Sequence, residues 1–147
     1  MPVRPKDIGT AGETAVLKKV INYFPRGKRI VLHGNKDHGD IGDCGRFIFE
    51  VKAGKQAHQI GDKQLASWMT ETMVEAENAG VRYGILVTAR AGVGAPNAHR
   101  WWAHVLTSDF AELTGGSYFP AEFSTIRLEL GHLLDLLADQ GHTPDAA

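Results

Sequence analysis

Residues 46–52 (RFIFEVK) constrain the fold more than any other segment, because their side chains alternate as those of a β-strand do. Alternation places Glu50 and Lys52 on one face of the predicted strand and the two phenylalanines on the other. The turn residues 42–45 (GDCG) are predicted to fold the chain back, which brings Asp40 alongside Glu50 from an adjacent antiparallel strand. We therefore expect two carboxylates and one lysine to share one surface of a sheet.

Two carboxylates held together on a rigid sheet suit a hard cation such as Mg²⁺, which prefers oxygen ligands. A lysine beside such an ion can orient or deprotonate a water molecule and offset the charge that develops on a phosphate. Asp37 and Asp43 compete with Asp40 for the ligand role. We favour Asp40 because it precedes the apolar Ile41 where a strand begins, whereas Asp43 is typical of a turn. The alternative is that these residues form only a polar turn and a solvated strand face.

The length of 147 residues favours a single domain, 1–147, with a core of its own. The one cysteine, Cys44, excludes an internal disulfide and a multi-cysteine zinc site, and it fits a reducing compartment. The N-terminus lacks the apolar run of a signal peptide, and no stretch is long enough to cross a bilayer. We therefore expect a cytoplasmic protein with no membrane partner.

The net charge of −1 conceals an asymmetry along the chain. Residues 1–63 hold twelve Lys or Arg against seven Asp or Glu, whereas residues 64–147 hold four against ten. A positive surface beside a metal site suits a phosphate backbone, although a run of charge is more often a solvated face. Six residues are predicted to contact DNA: Arg46, Lys55, Lys63, Gln64, Arg90 and Arg100.

The spacing of apolar residues predicts a first helix over residues 10–24. Thr10 and Glu13 have the spacing of a capping box, so the Glu13 carboxylate can reach back to the Thr10 amide. In the second interpretation Glu13 faces the metal site, because it lies on the apolar face of the helix, where a carboxylate needs a partner. The residues by themselves leave both interpretations open.

A second helix is predicted over residues 62–79, with Asp62 as its N-cap and Gly80 as its stop. Its first turn carries Lys63 and Gln64, and the free backbone amides of a first turn attract phosphate.

Alternation and periodicity predict the remaining elements: strands over residues 29–33, 81–90 and 99–107, loops over 34–39 and 91–98, and an amphipathic C-terminal helix over about 121–139. The apolar stripe of that last helix is expected to pack on the core, or alternatively to join a second subunit. Ser108 is predicted to cap a short helix that ends near residue 115. His33 and His38 are interpreted as polar loop groups, one of which could contact DNA, because no paired Cys or His spacing supports zinc. His99 could also contact DNA, the alternative being a surface residue.

The order of these elements resembles the αβββαβ core of the PD-(D/E)xK nuclease superfamily. Glu13 lies on the first helix, Asp40 on the second strand, and Glu50-x-Lys52 on the third. Gly39 stands where the motif has proline. Within the superfamily, three segments resemble small phage-encoded relatives of archaeal-type Holliday junction resolvases, namely residues 39–55, 65–96 and 100–113. The resemblance covers most of residues 10–115, the predicted core.

The resemblance implies an α/β fold with a restriction-endonuclease-like core, a mixed central sheet flanked by helices, and an added C-terminal helix. It implies a homodimer that cuts four-way DNA junctions with Mg²⁺ or Mn²⁺. Asp40 and Glu50 would be metal ligands, the Val51 carbonyl a third, and Glu13 a ligand directly or through water. Lys52 would position or activate the attacking water. The alternatives are a nuclease of the same chemistry acting on ordinary duplex or single-stranded DNA, and a non-catalytic DNA-binding module.

Overall fold

The structure is a computed structural model, and it describes residues 4–30 and 40–144. Within them, six strands form one mixed sheet and lie side by side in the order of the sequence. They are β1 (Lys28–Arg29), β2 (Ile41–Cys44), β3 (Phe47–Lys52), β4 (Tyr83–Thr88), β5 (Trp102–Leu106) and β6 (Thr125–Glu129). β3 and β4 run parallel, and the other neighbouring pairs run antiparallel. These two strands are central, and every residue in them except Lys52 is buried.

Helices cover both faces of this sheet. They are α1 (Pro5–Val20), α2 (Lys55–His58), α3 (Asp62–Ala79), α4 (Thr107–Leu113) and α5 (Leu130–Asp139), with a 3₁₀ helix over Ala95–Arg100. On one face Phe24, which follows α1, packs its ring 5.7 Å from that of Phe47 and 6.2 Å from that of Phe49, centre to centre. On the other face α3 packs against β4. The predicted α/β class, with a mixed sheet flanked by helices and a C-terminal helix, is confirmed.

The close approach of α3 to β4 depends on Gly84. A Cβ atom at this position would lie 2.9 Å from both the carbonyl oxygen and the Cγ2 atom of Thr72. Thr72 is fully buried and its hydroxyl donates to the Trp68 carbonyl, so it has little room to move aside. We therefore expect Gly84→Ala to lower the free energy of unfolding by about 1–3 kcal/mol in a urea titration. Gly9→Ala in α1 is the control, because nothing lies within 4 Å of its added methyl group. Equal stability of the two variants would show that α3 can shift without cost.

The predicted helix over residues 121–139 is wrong in its first half. Thr125–Glu129 form β6, which pairs antiparallel with β5, and α5 begins only at Leu130. Ile126 and Leu128 alternate with polar residues, so this stretch also has the period of a strand. It forms a strand because it can pair with the edge of β5. The leucines of α5 that face the sheet are fully buried, namely Leu130, Leu133, Leu134 and Leu137. The predicted packing of the apolar stripe on the core is therefore confirmed for this half.

The boundaries around the first helix and the first hairpin also differ from the prediction. α1 runs from Pro5 to Val20 instead of over residues 10–24, because proline suits the first turn of a helix. The reversal between β2 and β3 lies at Gly45 and Arg46, so most of the predicted turn belongs to β2. β1 covers only the start of the predicted strand over 29–33. Residues 31–39, with His33, Asp37, His38 and the predicted loop, lie outside the described residues.

The second half of the chain follows the prediction more closely. α3 spans Asp62–Ala79 and ends at Gly80, whose φ of 70° is left-handed and favours glycine, although Gly61 and not Asp62 is the N-cap. β5 begins at Trp102 because a 3₁₀ helix occupies the end of the predicted loop. α4 begins at Thr107, so Ser108 lies inside it and is not its cap. In the described part of the chain, no helix has the length and apolar character needed to cross a membrane.

Candidate active site

Asp40 lies next to Glu50, as the predicted hairpin requires. The backbone N–H of Asp40 donates to the Phe49 carbonyl over 3.2 Å, and β2 pairs Ile41 with Phe49. The Asp40 side chain extends this ladder, because its Oδ2 accepts a hydrogen bond of 2.8 Å from the backbone N–H of Val51. These two hydrogen bonds hold Asp40 against β3, beside Glu50.

Glu50 is a buried carboxylate without a full set of partners. Its side chain is only 6% exposed, and its Oε1 lies 3.5 Å from Nζ of Lys52. Its Oε2 is buried and has no hydrogen-bond partner among residues 4–30 and 40–144. Burying an anionic oxygen without a donor costs free energy, so this atom marks a place for a cation or a proton donor.

The ammonium group of Lys52 lies between two carboxylates. Its Nζ is 3.5 Å from Oε1 of Glu50 and 3.5 Å from Oε2 of Glu71, and it lies 5.6 Å from the centre of the Trp68 ring. Burial by itself would lower the pKa of this lysine, but the nearby charges of Glu50, Glu71 and Asp40 outweigh burial and raise the pKa above its ordinary value. Lys52 is therefore a protonated cation at neutral pH, suited to stabilising negative charge and not to accepting a proton.

Glu13 reaches the same cluster from α1. Its side chain is hydrogen-bonded to that of Asp40, and the guanidinium group of Arg29 on β1 donates to its Oε2. Because α1 begins at Pro5, Thr10 and Glu13 both lie inside the helix, and the interpretation of Glu13 as a cap is wrong. Its role as a metal ligand stays a prediction.

The crowding of these carboxylates changes the protonation of Asp40. Burial raises its pKa to about 9, and the negative charge of Glu50 adds to the shift. The hydrogen bond and charge of Glu13 raise the pKa further, while the N–H of Val51 opposes the shift. Asp40 therefore holds a proton at neutral pH and lies within hydrogen-bond reach of Glu13.

This carboxylate cluster, Glu13, Asp40 and Glu50, has the donor chemistry of a site for a hard divalent cation. Its donors are oxygens, one of them is buried without a partner among the described residues, and burial together with the charge of Glu50 raises the pKa of Asp40. Within the described ranges, no three His, Cys, Asp or Glu side chains already surround one point as metal ligands. Two of the possible ligand oxygens have other partners: Oε1 of Glu50 lies beside Lys52, and Oδ2 of Asp40 accepts from the N–H of Val51. A bound cation would take the place of the proton on Asp40.

The residues predicted to contact DNA lie at different distances from this cluster. Lys55 begins α2 just after β3 and is exposed, as is Lys63, which shares the first turn of α3 with the half-buried Gln64. Arg46 lies at the opposite end of β3 from Lys52, about 20 Å away along an extended strand. Its guanidinium group contacts the ring of His142 over 2.9 Å.

Arg90 and Arg100 lie in the connection from β4 to β5. Arg90 donates to Oε2 of Glu129 over 2.9 Å and to the Arg100 carbonyl over 3.3 Å. The side chain of Arg100 is exposed, as is that of His99. Contact of any of these residues with DNA stays a prediction.

Two residues that contact the carboxylate cluster or Lys52 were not predicted. Glu71 contacts Lys52 from α3, and Arg29 contacts Glu13 from β1. Glu71 follows Trp68 by three positions and therefore shares its helix face, which is a signal that could have identified it. Arg29 offers no such signal, because its contact depends on how β1 lies against α1.

No protein-family model, no curated protein and no solved structure matches this chain. The resemblance to PD-(D/E)xK nucleases therefore stays a prediction from the residues. The functional argument depends on the chemistry of the carboxylate cluster and of Lys52.

Proposed function

We propose that this chain is a DNA endonuclease that requires Mg²⁺ or Mn²⁺, hydrolyses phosphodiester bonds and prefers four-way junctions. The observation that carries the proposal is the meeting of Glu13, Asp40 and Glu50 in one cluster, with Nζ of Lys52 3.5 Å from Glu50. Burial and the charge of Glu50 raise the pKa of Asp40 to about 9, and Glu50 has a buried oxygen without a partner among the described residues. Carboxylates with strongly shifted pKa values are concentrated at functional sites, which favours the nuclease over a catalytically silent module.

In the proposed site, Asp40, Glu50 and the Val51 carbonyl would hold the cation, with Glu13 beside them. When bound, the cation would neutralise these oxygens and polarise the scissile phosphate. The ammonium group of Lys52 would stabilise the charge that builds on the phosphate as water attacks. Glu71 would keep Lys52 protonated and oriented, because it contributes to the raised pKa of the lysine.

A cleft of about 470 Å³ opens between α1 and the residues that follow β3 and β4. Lys55 and His58 of α2 line it, and so does Asp7 of α1. Glu13, Asp40, Glu50 and Lys52 do not line it, so this cleft is separate from the proposed site.

Cleavage assays test this proposal directly. Labelled four-way junctions, linear duplex and single strands are incubated with the purified chain in Mg²⁺, Mn²⁺ or EDTA. We expect paired nicks in the junction that require the metal, because a junction is resolved by cutting two symmetry-related strands. Glu50→Gln should reduce the rate by about 100-fold or more, since it removes a charged ligand without changing the side-chain volume. Glu122→Gln, in an exposed position, is the matched control and should cut normally.

The outcomes separate the candidate functions. Equal cutting of junction and linear duplex would replace junction preference with a general nuclease activity. DNA binding without cutting in either metal would contradict the nuclease proposal and favour a non-catalytic DNA-binding module. Cutting that persists in Glu50→Gln would show that the active site lies elsewhere.

A further inference from the structure

Trp102 of β5 lies against two guanidinium groups. The Cζ atom of Arg90 is 4.1 Å from the centre of its ring, and the Cζ atom of Arg127 on β6 is 4.0 Å from it. Distances this short allow a cation–π interaction with each arginine, which limits the rotamers that the two side chains can adopt. We call Arg90, Trp102 and Arg127 the tryptophan platform.

The two arginines of the platform differ in their remaining partners. Arg90 is partly buried and its positive charge is paired with Glu129. Arg127 is exposed, and among the described residues no carboxylate lies within ion-pair distance of it. Arg127 is therefore an oriented guanidinium group whose donors and charge are available to an anion.

The charged groups around Arg127 do not cancel its charge. His104, which faces it from β5, is buried, and burial together with the Arg127 charge lowers the pKa of this histidine to about 4. The imidazole is neutral at pH 7, and its Nε2 lies 2.9 Å from the Thr88 hydroxyl. Oε2 of Glu129 forms an ion pair with Arg90, and Nε2 of His132 lies 4.0 Å from Oε1 of Glu129.

The sheet places the platform on the same face as the candidate active site. Lys52 is in register with Thr88, and Thr88 with Trp102, so the three side chains form one row across β3, β4 and β5. Neighbouring strands are about 4.8 Å apart, which puts Trp102 roughly 10 Å from Lys52. Each strand of a DNA duplex carries one phosphate for about every 3.4 Å of helix axis, so more than one phosphate falls within this span. A strand whose phosphate lies at Lys52 can therefore also pass over the platform.

We propose that the tryptophan platform binds a backbone phosphate of the DNA strand next to the cleaved bond, with Arg127 as the residue that contacts it. This inference rests on the proposed nuclease function and adds the surface that holds the strand. A guanidinium group suits a phosphate because its planar donors bind two oxygens at once. Stacking on Trp102 lowers the entropy lost on binding, because the side chain is already ordered. Arg127 and not the predicted Arg90 makes this contact, because the charge of Arg90 is paired with Glu129.

The test measures DNA binding in EDTA, where the proposed metal-dependent cleavage cannot occur. Fluorescence anisotropy of labelled duplex and junction is recorded over a series of salt concentrations for wild type, Arg127→Gln and Arg26→Gln. Arg26 is the matched control: it is exposed, and it lies with Arg46 at the end of β3 opposite to Lys52. We expect Arg127→Gln to weaken binding about five- to tenfold at 0.1 M salt and to reduce the slope of log K against log[salt] by about 1. Arg26→Gln should match wild type.

The same series separates this inference from the proposed function. If wild type binds and Arg127→Gln binds equally well with the same slope, the platform is only a packing cluster, and the nuclease proposal stands. If both arginine variants lose the same affinity, the effect is general charge and the platform is again excluded. If wild type neither binds nor cuts any of the DNA substrates, both proposals fail. Arg127→Lys should recover the salt slope but not the full affinity, because lysine keeps the charge without the planar donors.

Discussion

Replacing Asp40 by asparagine is expected to stabilise the metal-free protein at pH 8 and to abolish its metal-dependent activity. The folded-state pKa of Asp40 is about 9, whereas an unfolded aspartate titrates near 3.9. Between these values the folded chain holds a proton that the unfolded chain has released, so stability falls as pH rises through this window. Asparagine resembles the protonated acid: it can accept from the Val51 amide and donate to Glu13. It therefore avoids the cost of keeping that proton, which increases by about 1.4 kcal/mol for each pH unit above the unfolded pKa.

Urea titrations at pH 5, 7 and 8.5 in EDTA measure this effect. Wild type should lose stability over that range more steeply than Asp40→Asn. Asp43→Asn is the matched control, since Asp43 is exposed on β2, three residues after Asp40, and Lys28 at 3.1 Å is its one ion-pair partner among the described residues. Its profile should follow wild type. Parallel profiles for wild type and Asp40→Asn would mean that Asp40 is not protonated in the folded chain.

Added Mg²⁺ extends the same experiment to the proposed cation site. A cation that binds only the folded state stabilises it, by an amount that depends on its concentration relative to Kd. At pH 8 we expect Mg²⁺ to raise the urea midpoint of wild type and to have little effect on Asp40→Asn. An equal shift in the two proteins would place cation binding away from Asp40.

Replacing Lys52 by methionine is the second change with a large expected effect. Methionine keeps an unbranched stem next to Trp68 but removes the only cation within 4 Å of Glu50 among the described residues. Cleavage should fall by about 100- to 1000-fold, because charge on the phosphate loses its nearest stabilising group in the protein. Stability at pH 8 should fall by about 1–3 kcal/mol, because the buried carboxylate of Glu50 is left unpaired.

Two companion variants show why Lys52 matters. Lys52→Arg should keep a measurable part of the activity, because the raised pKa of Lys52 indicates that it acts as a cation and not as a base. If Lys52→Arg is as inactive as Lys52→Met, the lysine must exchange a proton. In a Glu50→Gln background the stability cost of Lys52→Met should largely disappear, since no buried charge remains to be unpaired. Single-turnover cleavage and urea titration provide the two readouts.

The elements that sequence predicted well are those with strong local signals. β3 has an apolar residue at every second position, Phe47, Phe49 and Val51. α3 has an apolar stripe of helical period and ends at Gly80, whose φ is left-handed. The placement of Asp40 beside Glu50 follows from the same local pattern, because a hairpin of this length leaves few ways to pair β2 with β3. The restriction-endonuclease-like core and the roles of the site residues stay predictions.

The elements that sequence misassigned have ambiguous local signals. Residues 125–129 suit a strand as well as a helix, and the edge of β5 makes them a strand, so a partner elsewhere in the chain overrides the local pattern. Glu13 has the spacing of a cap, but α1 begins one turn and a half earlier than its apolar stripe suggests. Here Pro5, a second local signal, marks the start of the helix.

The sequence by itself determined the alternation that aligns Glu50 with Lys52, the hairpin that delivers Asp40, and the α/β class. Only the tertiary structure decided which charged groups meet: the proton on Asp40, the position of Lys52 between Glu50 and Glu71, and Arg127 on Trp102 without a carboxylate partner among the described residues. The physical reason is that alternation and turns depend on neighbours in the chain. Burial and electrostatic interaction, in contrast, depend on groups that meet only when distant elements pack together.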